Sequence, residues 1–418
     1  MFLFRWYSYI NNNNVYLQNY KLSKLLYILM AKKIVVAGGG FGGFYALKTL
    51  SGAELGSQHE IVLLDSSDKF VYLPSLPYLL SGKKTVEDIT EPFDKISKRL
   101  GIEFRKGEVT GISFKDKQIF LRDNDVIEYD YLIIAIGAQV EYFGIPGAEN
   151  TIPSWRLEHY LEMQKIIASK NDIKIGIVGG GLTGVEIAGE LAERLGGEKI
   201  TIIEKMPYLL PTLNHQKASL AVENFLKSIG VNIVKGDGVK KVEGSTVTLE
   251  SGQSLEFDAV IWSVGIRAPR LKFDLPVETS GRGWIAVNPN LTVKGVDNVY
   301  AVGDITYFAW NSDCAMKMAE EAILQGKTAA KNIMRQLQGL EPSYVHRPIF
   351  LNSRPKSLCS VGFNKAVMVW ESKILFGRTA YISKMLIENI VMRDIKGKVG
   401  GGIATSLEST ILKTISRV

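Results

Sequence analysis

Two glycine clusters of one pattern, each followed by a single carboxylate about 20 residues on, are the residues of this 418-residue chain best suited to chemistry. The first lies in Lys33-Ile-Val-Val-Ala-Gly-Gly-Gly-Phe-Gly-Gly43. Gly38, Gly40 and Gly43 hold the G-x-G-x-x-G positions, Phe41 and Gly42 fill the gap, and Asp65 ends the next apolar run. The second lies in Ile175-Gly-Ile-Val-Gly-Gly-Gly-Leu-Thr-Gly184, with Gly179, Gly181 and Gly184 in register and Glu204 closing Ile200-Thr-Ile-Ile-Glu204. One glycine makes the strand-to-helix turn, the next lets backbone N–H groups approach a pyrophosphate, and the third lets helix and strand pack closely. The acid then accepts hydrogen bonds from an adenosine ribose. A single such cluster is often only a glycine-rich turn. Two complete copies point to two dinucleotides, FAD on the first and NADH on the second, as in a flavin enzyme supplied by a nicotinamide cofactor.

Tyr131-Leu-Ile-Ile-Ala-Ile-Gly137 and Ala259-Val-Ile-Trp-Ser-Val-Gly265 are apolar strands ending in glycine, one after each nucleotide unit. Gly137 is assigned to the FAD edge and Gly265 to the NADH edge. Asn298-Val-Tyr-Ala-Val-Gly-Asp304 ends in Gly303-Asp304, whose carboxylate suits the ribityl hydroxyls of a flavin. Glu204 opposes the 2′-phosphate of NADPH by charge and so favours NADH, although Lys205 beside it weakens that preference.

From about Lys32 to Gly400 the chain resembles the two-dinucleotide-binding-domain flavoproteins, and within them it is most similar to type II NADH:quinone dehydrogenases. The segments that carry the likeness are Gly179-Gly-Gly-Leu-Thr-Gly-Val-Glu-Ile-Ala-Gly-Glu-Leu-Ala-Glu193, Gly137-Ala-Gln-Val-Glu-Tyr-Phe-Gly-Ile-Pro-Gly147, Gly303-Asp304 and Ser357-Leu-Cys-Ser-Val-Gly-Phe-Asn-Lys-Ala-Val367. The resemblance implies hydride transfer from NADH to FAD and passage of two electrons to a membrane quinone. It also places Glu186 near the nicotinamide, flavin and quinone sites in a proton-transfer role, with the basic tail residue Lys384 as its partner. Such relatives carry an Ala-Gln-x-Ala-x-Gln-Gln-Gly helix beside the flavin, where this chain has Ala319-Glu-Glu-Ala-Ile-Leu-Gln-Gly326. Ala319, Glu320 and Gln325 are therefore the expected quinone contacts, with two amides lost. That loss keeps other acceptors in view. A sulfide:quinone oxidoreductase needs cysteine sulfurs about the flavin, yet Cys314 and Cys359 are the only two cysteines. A soluble NADH-dependent reductase of another electron carrier would not need the tail described next, and an NADH-sensing flavoprotein would not turn over NADH repeatedly with excess quinone.

Positioning these residues requires an α/β fold of two Rossmann-like domains, with a C-terminal α+β region for membrane attachment. Residues 31–150 and 270–340 are expected to bind FAD and 151–269, inserted between them, NADH; 341–418 form the C-terminal region. No apolar run approaches about 18 residues, so no transmembrane helix is expected. The four histidines are scattered and suggest no metal site. Of the net charge of +7, residues 1–30 carry +3 and residues 372–418 carry +5, leaving −1 for the rest. Basicity at the ends argues against nucleic acid, which calls for a basic stripe on the folded body, and for an anionic membrane surface. Tyr381, Ile382, Met385, Leu386, Ile390 and Val391, and then Ile403, Leu407, Ile411 and Ile415, have helical apolar spacing, with Lys384, Arg393, Lys396, Lys413 and Arg417 nearby. A peripheral protein on the cytoplasmic face of the cell membrane is expected, and a homodimer is left open. Residues 1–30 have no clear signal-peptide pattern, and Met30 precedes the first strand directly, so the reading favours Met30 as the start.

Overall fold

The computed structural model describes residues 31–52, 58–170 and 172–398. The leader and the apolar positions from Ile403 to Ile415 lie outside them. The β-branched runs form short parallel strands whose side chains are buried on both faces, which explains why they read as continuous rather than alternating apolar stretches. β1 (Lys33–Ala37) turns at Gly38 into α1 (Phe41–Ser51), and the chain returns as β2 (Glu60–Asp65). A short helix, α2 (Pro77–Ser81), precedes β3 (Glu103–Lys106) and β4 (Tyr131–Ile134).

The second unit repeats this plan. It comprises β5 (Ile152–Pro153), β6 (Ile175–Val178), α3 (Leu182–Leu195), β7 (Ile200–Glu204), β8 (Asn232–Lys235) and β9 (Ala259–Trp262). Its sheet order is β5-β9-β6-β7-β8, all parallel. The chain then returns to the first unit with β10 (Val299–Ala301), completing the parallel order β10-β4-β1-β2-β3. The two connections between the units, Gln139–Val140 and Ile266–Arg267, pair antiparallel.

α4 (Ala319–Leu337) crosses α1 with backbone nearly touching backbone. A Cβ on Gly326 would lie 2.1 Å from the Gly42 carbonyl oxygen, so only glycine permits the approach. The C-terminal region is an antiparallel meander, β11 (Lys356–Ser360), β12 (Ala366–Trp370) and β13 (Lys373–Gly377), followed by α5 (Arg378–Ile395). β11 abuts α3 just as tightly, since a Cβ on Gly189 would fall 2.1 Å from the Val361 carbonyl carbon.

α5 buries three charged side chains together with Ala380, Val391, Met392 and Ile395. Its buried face includes Lys384, Glu388 and Asp394, while Ile382 and Leu386 stand 49% and 48% exposed. The expectation that Lys384 lies on a headgroup-facing surface is therefore corrected: it points into the protein, where carboxylates neutralise it. Lys396 is likewise engaged, donating to the Glu87 carbonyl at 2.6 Å, whereas Arg393 is exposed.

Candidate active site

The two cradles are built alike. A Cβ on Gly38, which has φ +106°, would sit 2.2 Å from the Ala135 carbonyl oxygen, and one on Gly43 would sit 1.8 Å from the Gly38 carbonyl oxygen. At Gly179, with φ +107°, it would meet Ser263 Oγ at 2.9 Å, and at Gly184 the Gly179 carbonyl oxygen at 1.9 Å. Gly40 and Gly181, by contrast, face open space within 4 Å. Each is the N-cap of its helix and supplies no side-chain cap, so first-turn N–H groups of α1 and α3 remain available to a phosphate. Phe41 opens α1 and packs edge-on against Phe70 and Tyr72, fixing the helix start. These features fit a pyrophosphate at both helices.

The two distal acids do more than await a ribose. Asp65 accepts from the Gly39 amide at 2.6 Å and the Ser67 amide at 2.7 Å, and Glu204 from Gly180 at 2.7 Å and Met206 at 2.8 Å. Each carboxylate thus braces the middle of its own glycine turn while keeping lone pairs for a ligand. Burial pushes the Asp65 carboxyl above the usual range, against those backbone hydrogen bonds. Lys205, which the sequence set beside Glu204 as a competitor, pairs instead with Glu250 at 2.8 Å. Gly137 has open space around it, whereas Phe143 covers Gly265, with a ring carbon 2.4 Å from where a Cβ would be.

Gly303 and Asp304 lie where β10 ends. The Gly303 amide donates to Gln325 Oε1 at 2.7 Å, so this glutamine, expected at the quinone, is committed to holding the flavin-side loop. Its Nε2 faces Glu321, which also bonds the buried His346. Asp304 and Lys317 line a small cavity with Met318 and Gln325. No hydrogen bond from the described residues reaches the Asp304 carboxylate, as suits a group that takes ribityl hydroxyls. Burial pushes its pKa up, and Lys317 opposes that. Lys317 donates to the Asp304 and Thr306 carbonyls at 2.8 Å each and lies 3.8 Å from the centre of the Trp284 ring. Burial pulls its own pKa down to about 8. No sequence pattern marks Lys317, a lone lysine before a helix.

The acid expected in proton transfer does meet its tail partner. Glu186 Oε1 lies 3.4 Å from Lys384 Nζ and accepts from the Ser360 amide at 3.1 Å. Lys384 also bonds Glu388, which in turn takes Lys84 at 2.6 Å and the Ser75 hydroxyl at 2.8 Å. Two ammonium groups and two carboxylates therefore balance inside the protein. Burial raises Glu186 above the usual carboxyl range, against Lys384. Burial also works against the Lys384 ammonium, but Glu186 and Glu388 outweigh it and hold its pKa well above the ordinary lysine value. Glu388, Lys84 and Ser75 were missed from sequence, being far apart along the chain. Cys359 lies beside this cluster, deeply buried, and burial pushes its thiol up; Cys314 is elsewhere, accepting from Asn352. Ala319 and Glu320 form the first turn of α4.

Two nucleotide cradles, one inserted within the other, with a carboxylate loop beside the first and a buried acid on the helix of the second, define an FAD- and NADH-binding oxidoreductase. The chain belongs to the pyridine nucleotide-disulphide oxidoreductase family, whose sequence profile matches residues 32–326. It is 32% identical over 291 residues to the demethylphylloquinone reductase of Synechocystis, covering 65% of this chain and 71% of that protein. It is 28% identical over 389 residues to the type II NADH:quinone oxidoreductase of Staphylococcus saprophyticus, covering 85% and 94%. Among solved structures it superposes on NDH2 from Plasmodium falciparum in complex with NADH with a TM-score of 0.74 at 19% identity, covering 85% and 94%. The sulfide:quinone oxidoreductase of Aquifex aeolicus gives 0.75 at 22%, covering 93% and 96%, so the fold by itself does not choose between donors.

Proposed function

We propose that the protein is a non-proton-pumping NADH:quinone oxidoreductase that passes two electrons from NADH to a membrane quinone by way of FAD. The observation that carries this reading is the Glu186–Lys384 pair, a buried acid on the nucleotide helix α3 joined to a cation on the C-terminal helix α5. The curated relatives named for NADH:quinone and demethylphylloquinone chemistry support it. Bound FAD would supply the electron relay, accepting hydride from NADH and releasing electrons onward. The residues around it have separate tasks. Gly38, Gly40, Gly42 and Gly43 with Asp65 would hold the FAD adenosine and pyrophosphate, and Asp304 its ribityl chain. Gly179, Gly181, Gly184 and Glu204 would hold NADH. Glu186 would hold the proton that the acceptor takes up, since burial raises its carboxyl above the usual range and so favours the protonated form. Ala319 and Glu320 are proposed to face the quinone, and Gln325 to act on it through the Gly303 loop.

The same reading places the protein as a peripheral protein on the cytoplasmic face of the membrane. Among the described residues no helix is long and apolar enough to cross a membrane. α5 turns Ile382 and Leu386 outward along with the cations Arg378 and Arg393, as suits a helix lying in an anionic interface. Sulfide as donor is disfavoured by the deeply buried thiol of Cys359 and the lack of any cysteine before Cys314.

The test is purified holoprotein assayed with NADH and ubiquinone or menaquinone analogues, and separately with sulfide. NADH-driven quinone reduction is expected. Glu186→Gln should keep FAD and lower turnover on the order of 100-fold, the scale of a lost general acid. Flavin bleaching by sulfide but not by NADH would defeat the reading, and unchanged turnover in Glu186→Gln would remove that residue's role.

A further inference from the structure

One helical turn beyond Glu186, α3 carries a second buried carboxylate that the scheme above does not use. Glu190 is fully buried. One oxygen accepts from the Ser81 hydroxyl and lies 3.0 Å from Lys83 Nζ, while Oε1 has no partner. Positions i and i+4 on a helix share a face about 6 Å apart. α2 runs along that face with matching spacing: Ser81 meets Glu190, and Tyr78, three residues earlier, lies within the field of Glu186 and Lys384. The Tyr78 hydroxyl and Ser360 Oγ are also buried and lie close to each other, neither making a well-formed hydrogen bond. Three orphaned polar atoms in one region, on α2, α3 and β11, are too many for a dry core and match a short chain of buried water.

The far end of this line reaches solvent. Lys83, which pairs with Glu190, also pairs with Glu193, and these two are 18% and 27% exposed. The charged and titratable groups facing Glu190 are thus Lys83, Glu193 and, from α5, Tyr381. Burial raises the Glu190 carboxyl, with Ser81 and Lys83 opposing.

Resting on the proposed quinone chemistry, turnover consumes NADH, one quinone and one proton and gives NAD+ and quinol. The hydride brings both electrons and one hydrogen nucleus, so one proton per cycle comes from solvent. We propose that Glu190 is a proton-relay residue that carries this proton from the Lys83–Glu193 surface pair to Glu186, through water held by the Tyr78 hydroxyl, Ser360 Oγ and its own free oxygen.

The test separates the half-reactions of the FAD-loaded enzyme by stopped flow. In Glu190→Gln, bleaching of flavin absorbance by NADH should match the wild type. Recovery of absorbance on adding a short-chain quinone should slow at least about tenfold, as expected for a lost proton-transfer group. Proton uptake from weakly buffered solution, followed with an indicator dye, should slow in step. Glu190→Asp should restore part of the rate, as should small weak acids added to Glu190→Gln. Tyr78→Phe, which removes an unpartnered hydroxyl and so should fold, should slow the same step. Wild-type recovery and proton uptake in both Glu190→Gln and Tyr78→Phe would overturn the relay. So would slowing that neither Asp nor weak acids relieve, which marks a structural role. If no quinone reoxidises the wild-type flavin, the acceptor reading itself fails and the relay falls with it.

Discussion

Lys317 shows how far a single residue can depend on its surroundings. In an unfolded chain a lysine keeps its proton to about pH 10.5, whereas folded Lys317 releases it near 8 because burial outweighs the pull of Asp304. Between those values the unfolded chain binds more protons than the folded one, so this residue makes stability rise with pH across that window. Lys317→Met should abolish that rise. The difference in melting temperature between wild type and variant, followed from about pH 7 to about pH 11, reads it directly. A difference that stays flat would mean that the ammonium is not desolvated as the geometry indicates. Glu186 acts in the opposite sense: its raised pKa makes its contribution most favourable at low pH, and that contribution is lost as pH rises through the folded value.

At the scale of elements, the proposed seat of the flavin pyrophosphate at the start of α1 depends on how α4 crosses that helix. α4 holds α1 in place through the Gly42–Gly326 contact, and it also reaches Gly303 through Gln325. Gly326→Ala would place a methyl group 2.1 Å from the Gly42 carbonyl oxygen and 3.2 Å from the Ala46 amide nitrogen, so the helices must part. Overpacking of this kind costs about 1–3 kcal/mol. Because the N-terminus of α1 moves with it, the variant should also be purified with less flavin. Denaturant unfolding and the ratio of flavin to protein absorbance measure both effects, and full values of each would show that the crossing tolerates separation.

For the whole molecule, α5 would join the proposed redox site to the proposed membrane attachment. Its inward charges are neutralised by Glu186, Lys84 and Lys48, and Arg99 holds the Ile395 carbonyl near its end. Deleting the helix would remove Lys384 and leave Glu186 without its cation, so deletion cannot isolate attachment. The double variant Ile382→Ser, Leu386→Ser can, because both side chains are about half exposed and lie away from the buried network. Losing their insertion should weaken binding by roughly 1 kcal/mol each. In sedimentation with anionic vesicles the variant should shift toward the supernatant while keeping its turnover with a short-chain quinone. Raising salt should weaken the wild type only in part, since the apolar contribution is not screened. Equal sedimentation of the two forms would show that other residues make the attachment.

The sequence by itself determined the duplicated α/β plan, both glycine turns and the Gly303–Asp304 loop, because each rests on local rules. A glycine at a left-handed turn, an uncapped helix start and an apolar run are legible within about 30 residues. The same locality let Glu186 be singled out on its helix, though its link to Lys384, 198 positions away, came from a resemblance rather than from physics. Tertiary structure alone decided what long-range packing controls. It turned Lys384 of α5 inward, because Glu186 and Glu388 neutralise it there. It committed Gln325 to a backbone amide and drew Lys205 to Glu250. It gathered Ser75 and Lys84 around Glu388, and Tyr78 and Ser360 beside Glu186. Helical periodicity marks which residues share a face, but whether a charged or an apolar face turns inward depends on partners hundreds of residues distant.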